Sequence, residues 1–211
     1  MRNKNKAGIV CVVCGVLLLL GSLALYLVNQ RQNAAAEDAA QLLVSQMVQQ
    51  MLESDEDGQV ADALPELQIP VELLSEEDKK MTEVEIDGHL YIGYIHLPTL
   101  DRNLPVMSDW SYPKLRIAPC RYTGSVRGED LVIMAHNYQS HFGRLSKLQI
   151  GDSVLFVDMD GKTISYEVVG KDILAPTAVE EMTSGEFDLT LFTCTYGGAN
   201  RVTVYCDRIE P

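Results

Sequence analysis

Cysteine and positive charge are both scarce in this 211-residue chain, which has five Cys and only 17 Lys and Arg against 30 Asp and Glu. Cys11, Cys14, Cys120, Cys194 and Cys206 are too few and too oddly numbered for a disulfide framework. Cys11 and Cys14 have the spacing of half a zinc site. No second such pair follows, and both lie in an apolar stretch where they read as small hydrophobes. The deficit of base leaves a net charge of −13 and removes the electrostatic support that nucleic-acid binding requires. No internal repeat is present, and no residue pattern calls for a metal or a cofactor.

The charge is unevenly placed. Residues 1–36 carry four positive charges and no negative one, residues 37–87 carry fifteen acids against Lys79 and Lys80, and residues 88–211 carry fifteen acids and eleven bases. The acidic block reads as a solvated, self-repelling stalk. Ahead of it lies the one long hydrophobic run, the twenty uncharged residues 9–28. At about 1.5 Å per residue such a helix spans the roughly 30 Å of a bilayer core. Arg2, Lys4 and Lys6 precede it and only Arg31 follows closely, so the positive-inside rule places the N-terminus in the cytoplasm and the rest outside. A cleaved signal peptide is the competing reading, with Ala34-Ala35-Ala36 as its small-residue site. The run is longer than the roughly 7–15 residues of a signal core, which favours a retained anchor. The organisation expected is a cytoplasmic tail (1–8), a transmembrane anchor in the lipid membrane (9–28), a helical and acidic juxtamembrane stalk or linker (29–80) and a β-domain (81–211). Within the stalk, Leu42, Leu43, Val44, Met47, Val48, Met51 and Leu52 recur at three and four residues and predict a spacer helix over 34–56. Residues 55–74, with Gly58, Pro65 and Pro70, read as linker.

From Met81 the texture is that of short strands. Leu90-Tyr-Ile-Gly-Tyr-Ile-His-Leu97, Leu104-Pro-Val-Met107 and Leu131 to Ala135 are three of them, and Phe142 to Leu148 suggests a helical turn. Residues 153–158 and 163–174 flank Asp160-Gly161, a hairpin turn signature. Residues 188–193 and 201–209 pair across Tyr196-Gly-Gly-Ala-Asn200. Seven or eight short strands with little helix predict a mainly β fold, a closed or nearly closed barrel.

Three chemically capable side chains end up at strand edges. Leu189-Thr-Leu-Phe-Thr-Cys194 closes on a thiol, Arg201 opens the next run, and Leu131-Val-Ile-Met-Ala-His136-Asn137 runs into an imidazole. A cysteine does chemistry only where neighbours stabilise its thiolate and the charge that develops on its substrate. A buried strand cysteine is the plain alternative for Cys194. The flanking threonines, the Gly-Gly turn and Arg201 argue for a nucleophile. His141, five residues after His136, is its rival as base, and Asn137 is placed to orient either ring; His89 and His96 read as surface or barrel-edge residues. Cys206 shares its alternation with Val202 and Val204 and packs on the apolar face. A Cys120–Cys206 disulfide is a minor alternative. Trp110, Tyr122 and Tyr138 suit either a peptide groove or core packing.

Thr190-Leu-Phe-Thr193-Cys194 resembles the Thr-Leu-x-Thr-Cys motif of sortases, the cysteine transpeptidases of Gram-positive cell surfaces. Arg201 at the start of the next strand is similar too, as is the strand-terminal Ala135-His136-Asn137. Gly93-Tyr-Ile-His-Leu-Pro98 with Leu104-Pro-Val106 looks like the family's opening strands, and Gly151-Asp152-x-Val154 like its central hairpin. The resemblance covers about residues 88–209. It implies an eight-stranded barrel and a membrane-anchored enzyme that cleaves a Leu-Pro-x-Thr-Gly-like signal on secreted proteins between Thr and Gly, then transfers the protein to an amine of a cell-wall precursor peptide. It also implies Cys194 as nucleophile, His136 as general acid/base and Arg201 as stabiliser of the oxyanion or substrate carbonyls. Thr193, Asn137 and Thr195 would support them, Thr195 through a backbone N–H aimed at the oxyanion. Whether sulfur and imidazole rest as an ion pair or as neutral partners stays open.

The departures from the family pattern bear on class. Six residues between Cys194 and Arg201 make a tight turn, and no Asp-Pro-aromatic lid motif precedes the barrel; Asp109-Trp110 falls after the second strand. A class B-like or unassigned sortase is expected over a pilin-polymerising one. Glu129, Asp130, Glu180, Glu181 and Glu186, which a calcium-binding variant would use, read as solvated surface acids. A hydrolytic cysteine peptidase on the same barrel and a non-catalytic surface β-domain are the competing functions.

Overall fold

Apolar patterning after position 80 produces most of the strands, and with the four-residue Cys120–Thr123 strand they close into one barrel. The computed structural model describes residues 2–56, 75 and 79–209. The linker expected at 55–74 lies almost wholly outside the described residues. Compactness divides the chain into two units, 1–38 and 39–211.

In the first unit, α1 (Arg2–Glu56, continuing into the second unit) carries Cys11–Val28, a segment long and apolar enough to cross a membrane. Its large side chains, Leu18 and Leu25 among them, are exposed along this stretch.

The second unit holds nine strands: β1 (Val84–Ile86), β2 (His89–Leu97), β3 (Arg102–Met107), β4 (Cys120–Thr123), β5 (Leu131–Ala135), β6 (Ser153–Asp158), β7 (Thr163–Leu174), β8 (Leu189–Cys194) and β9 (Arg201–Arg208). Sheet order is β1-β2-β3-β4-β5-β8-β9-β7-β6, and β6 pairs back onto β2. Strands β2 to β9 therefore form the closed eight-stranded barrel, and β1 is an extra short strand on β2. Closure leaves no unpaired edge in the ring. The Asp160-Gly161 turn joins β6 to β7 as expected, with Gly161 at φ 77°. The helical turn near Phe142 is a single 3-10 turn, Leu145–Lys147. Two short helices, α2 (Tyr112–Leu115) and α3 (Val179–Met182), sit in the β3–β4 and β7–β8 connections.

Inward-facing Ile92, Ile95, Ile133, Phe156, Leu191 and Val204 fill the barrel. A second apolar layer lies against its outside: Met47 and Met51 of α1 pack with Tyr91, Met107, Leu115 and Val157. Met47 is fully buried and Met51 nearly so, whereas Leu42, Val48 and Leu52 are exposed, so only part of the apolar stripe of the expected spacer helix is covered by the sheet of its own unit. Cys206 is buried in the barrel interior and Cys120 in the outer layer, both as free thiols, so the minor disulfide alternative is not realised. Burial pushes the Cys120 thiol up to about 12 and drives that of Cys206 higher still, which leaves both protonated and inert.

Candidate active site

Register fixes the site. Strands β5 and β8 run parallel with Ala135 opposite Thr193, and β8 runs antiparallel to β9 with Cys194 opposite Arg201. Cys194 ends the central strand of the three. Arg201 is directly across one edge, and the chain of β5 enters His136 one residue past the last pair on the other edge. Three side chains 58 and 7 residues from one another in sequence thus converge at one rim of the barrel.

Alternation decides which way they face. Leu189 and Leu191 point into the core, as does buried Thr193; Phe192 and Cys194 take the opposite face. Thr193 is buried and donates its hydroxyl to the Ala135 carbonyl at 2.8 Å. Cys194, His136 and Asn137 are partly exposed, the condition a reacting thiol needs. Asn137 Nδ2 donates to the Thr195 carbonyl at 3.2 Å. The two strand ends that carry imidazole and sulfur are therefore tied on both sides of the pair.

The turn after Cys194 is closed by its own backbone. Thr195 N–H donates to the Asn200 carbonyl at 2.9 Å, Asn200 N–H donates to the Thr195 hydroxyl at 3.0 Å, and Gly198 N–H donates to the Thr195 carbonyl at 2.8 Å. Gly197 (φ 88°) and Gly198 (φ 78°) occupy the left-handed region, where a Cβ would be strained. This corrects one expectation: the Thr195 N–H belongs to the turn and is not a free donor for an oxyanion. Arg201 is held by the same turn, with Nη1 donating to the carbonyls of Gly198 and Asn200, each at 3.2 Å. The rest of its fork has no further partner among the described residues.

Burial lowers the His136 pKa below its ordinary value, and the Arg116 guanidinium lowers it further. Arg116, at the end of α2, was invisible to sequence reasoning because nothing in its spelling links it to residue 136. The rival base is placed differently. His141 is buried, its Nδ1 has no partner, and burial drives its pKa to about 4, so it stays neutral and out of solvent's reach. His96 Nδ1 is bonded to Asn103 at 2.6 Å on the β2–β3 hairpin, away from these strand ends.

Aromatic rings extend from the sulfur-bearing strand. Phe192, two residues before Cys194, meets Tyr122 edge-on at 5.4 Å, and Tyr122 stacks on Trp110 at 5.7 Å. Phe192 is buried with Val132 and Met182, so Tyr122 and Trp110 combine packing and partial exposure. Its signal in the sequence was its shared parity with Cys194. Of the acids considered for a cation, Glu129 faces Arg208 at 3.8 Å and Asp130 accepts the Ser125 N–H at 2.9 Å.

The family model described as the sortase domain matches residues 95–209. Among solved structures, sortase A from Corynebacterium diphtheriae superposes with a TM-score of 0.54 at 22% identity, over 58% of this chain and 62% of that one. The chain thus spans less than two thirds of that structure, and the likeness is one of fold. SortaseC1 from Streptococcus suis is 30% identical with a TM-score of 0.52, over 57% of this chain and 74% of that one. Sortase C from Clostridium perfringens is 23% identical with a TM-score of 0.52, over 80% and 90%. These neighbours carry class A and class C names. No curated protein matches the sequence. With more than half of its residues matched by the family model and the same closed barrel, the chain belongs to the sortase family.

Proposed function

We propose that this protein is a membrane-anchored cysteine transpeptidase acting on secreted proteins that bear a Leu-Pro-x-Thr-Gly-like sorting signal. The observation that carries the reading is the register of β5, β8 and β9, which flanks a partly exposed sulfur with an imidazole on one strand and a guanidinium on the other.

In this mechanism His136 rests neutral near pH 7, consistent with its burial and the nearby Arg116 charge. It takes the Cys194 proton as the sulfur attacks the carbonyl carbon of the Thr–Gly bond. The free part of the Arg201 fork donates to the oxyanion that forms. Collapse breaks the C–N bond, the Gly amine leaves with the proton from His136, and a thioester to Cys194 remains. An acceptor amine then gives a proton to His136, attacks the thioester carbonyl and releases the thiolate, which recovers that proton. The acceptor assigned is an amine of a cell-wall precursor peptide. The apolar helix 9–28 would hold the domain at the membrane where such precursors are presented, with the N-terminus in the cytoplasm.

A direct test mixes the full chain in detergent micelles with a sorting-motif peptide and a panel of amines, and identifies products by mass spectrometry. Peptide joined through its Thr carboxyl to an amine is the expected product. Free acid alone, at every amine concentration, would replace the transferase with a hydrolase, and intact peptide would favour a non-catalytic domain.

A further inference from the structure

The imidazole proposed as the proton carrier does not stand alone. Strand β5 ends at Ala135, and residues 136–143 fold into a tight turn. The Tyr138 carbonyl accepts the N–H of His141 (2.9 Å) and of Gly143 (2.8 Å), and the His136 carbonyl accepts the Phe142 N–H (3.2 Å). A Cβ on Gly143 would come within 2.6 Å of the Asn137 and Tyr138 carbonyl oxygens, so this closeness needs glycine there. Phe142 and Leu145 are fully buried and anchor the turn in the core.

This turn presents the Tyr138 ring to two imidazoles. It lies over His136 with centroids 4.7 Å apart and planes 28° from parallel. It also meets His141 at 5.5 Å and 41°. His141 is 3% exposed, so it is a fixed surface, whereas Tyr138 remains 41% exposed. A half-exposed ring held between a buried histidine and a reactive one is not explained by core packing.

Proton transfer makes His136 alternate between neutral and cationic forms. Burial and Arg116 both disfavour the cation. A π face over the imidazolium acts in the opposite direction and restricts rotation of the ring. We infer that Tyr138 is a positioning residue for His136: braced by His141, its ring sets the imidazole plane beside Cys194 and offers a π face to the imidazolium. The inference rests on the reading of His136 as general acid/base.

The experiment compares Tyr138→Phe and Tyr138→Leu in the full chain, in micelles, by peptide turnover and by an NMR titration of 13C-labelled histidine, with His136→Gln assigning the signal. Phe keeps the aromatic face, so its turnover stays within about twofold of wild type and the His136 midpoint is unchanged. Leu keeps apolar cover but loses the face. Its kcat falls about tenfold with KM for the peptide nearly constant, a modest loss of orientation, and the His136 midpoint moves down. If Leu melts early, Tyr138→Met replaces it with the same expectation. Leu and Phe variants equal in both turnover and midpoint would overturn the positioning role alone. Wild-type turnover by His136→Gln would remove the base assignment and this inference with it.

Discussion

The Thr193 hydroxyl donates to the Ala135 carbonyl at 2.8 Å, fastening the residue before Cys194 to the residue before His136. A threonine at this position is a natural β-former, yet its hydroxyl is buried and spans two strands. Thr193→Val keeps the shape and removes the bond. It should lower stability by about 1 kcal/mol and cut turnover several-fold by loosening the approach of imidazole to sulfur, while Thr193→Ser restores both. Thermal melting and a peptide-cleavage assay check this together, and unchanged turnover in the Val variant would show that the bond is structural only.

Arg201 is anchored through one nitrogen to Gly198 and Asn200 and stands opposite Cys194 in the β8–β9 register. A lysine ammonium is a compact point charge and cannot hold the turn and reach a substrate oxygen together. Arg201→Lys should lose about two orders of magnitude in kcat, the size of one oxyanion donor. Activity within threefold of wild type would withdraw the assignment.

The pH dependence follows from Arg116. Its charge is the second cause, after burial, that lowers the His136 pKa. Arg116→Gln therefore raises that pKa toward the ordinary histidine value without reaching it, because burial stays. A base must be neutral to accept a proton, so the acid limb of the kcat/KM profile should move to higher pH and activity in mildly acidic buffer should fall. The alkaline side of that limb is unchanged. A limb that stays put, or moves down, contradicts the electrostatic link.

On the far side of the sheet, Met47 of α1 is fully buried against Tyr91, Met107 and Val157, whereas Leu52 of the same helix is 62% exposed. Met47→Ala should cost about 2–5 kcal/mol, and Leu52→Ala close to nothing. Chemical denaturation of the full chain in micelles reads both. Equal, negligible effects would mean that the helix is only a spacer.

Much of this arrangement was legible in the sequence because it is local. Apolar patterning placed β2, β5, β7, β8 and β9, the Asp160-Gly161 pair marked a hairpin, and the positions of His136, Cys194 and Arg201 at strand ends could be read in advance. The strands that escaped notice are the short ones. β1 is three residues in an acidic context, and β4 is four residues with a register shift between Arg121 and Thr123, so neither sustains a period. The Thr195 N–H was misassigned because turn hydrogen bonding depends on backbone angles at Gly197, Gly198 and Asn200, which spelling does not determine. The stripe on α1 was readable as apolar, but what covers it is a long-range matter. Arg116 and the Tyr138 stack were hidden for the same reason: proximity across strands and turns leaves no periodic trace.

The central claim is that Cys194 carries the substrate acyl group. Intact-protein mass spectrometry of the full chain after brief exposure to a sorting-motif peptide reads this most directly. The predicted result is an adduct equal to the peptide fragment ending in Thr less one water, mapped to Cys194, released by hydroxylamine and absent from Cys194→Ala. Cleavage of the peptide by Cys194→Ala at the wild-type rate, or an adduct mapped to any other residue, would contradict it.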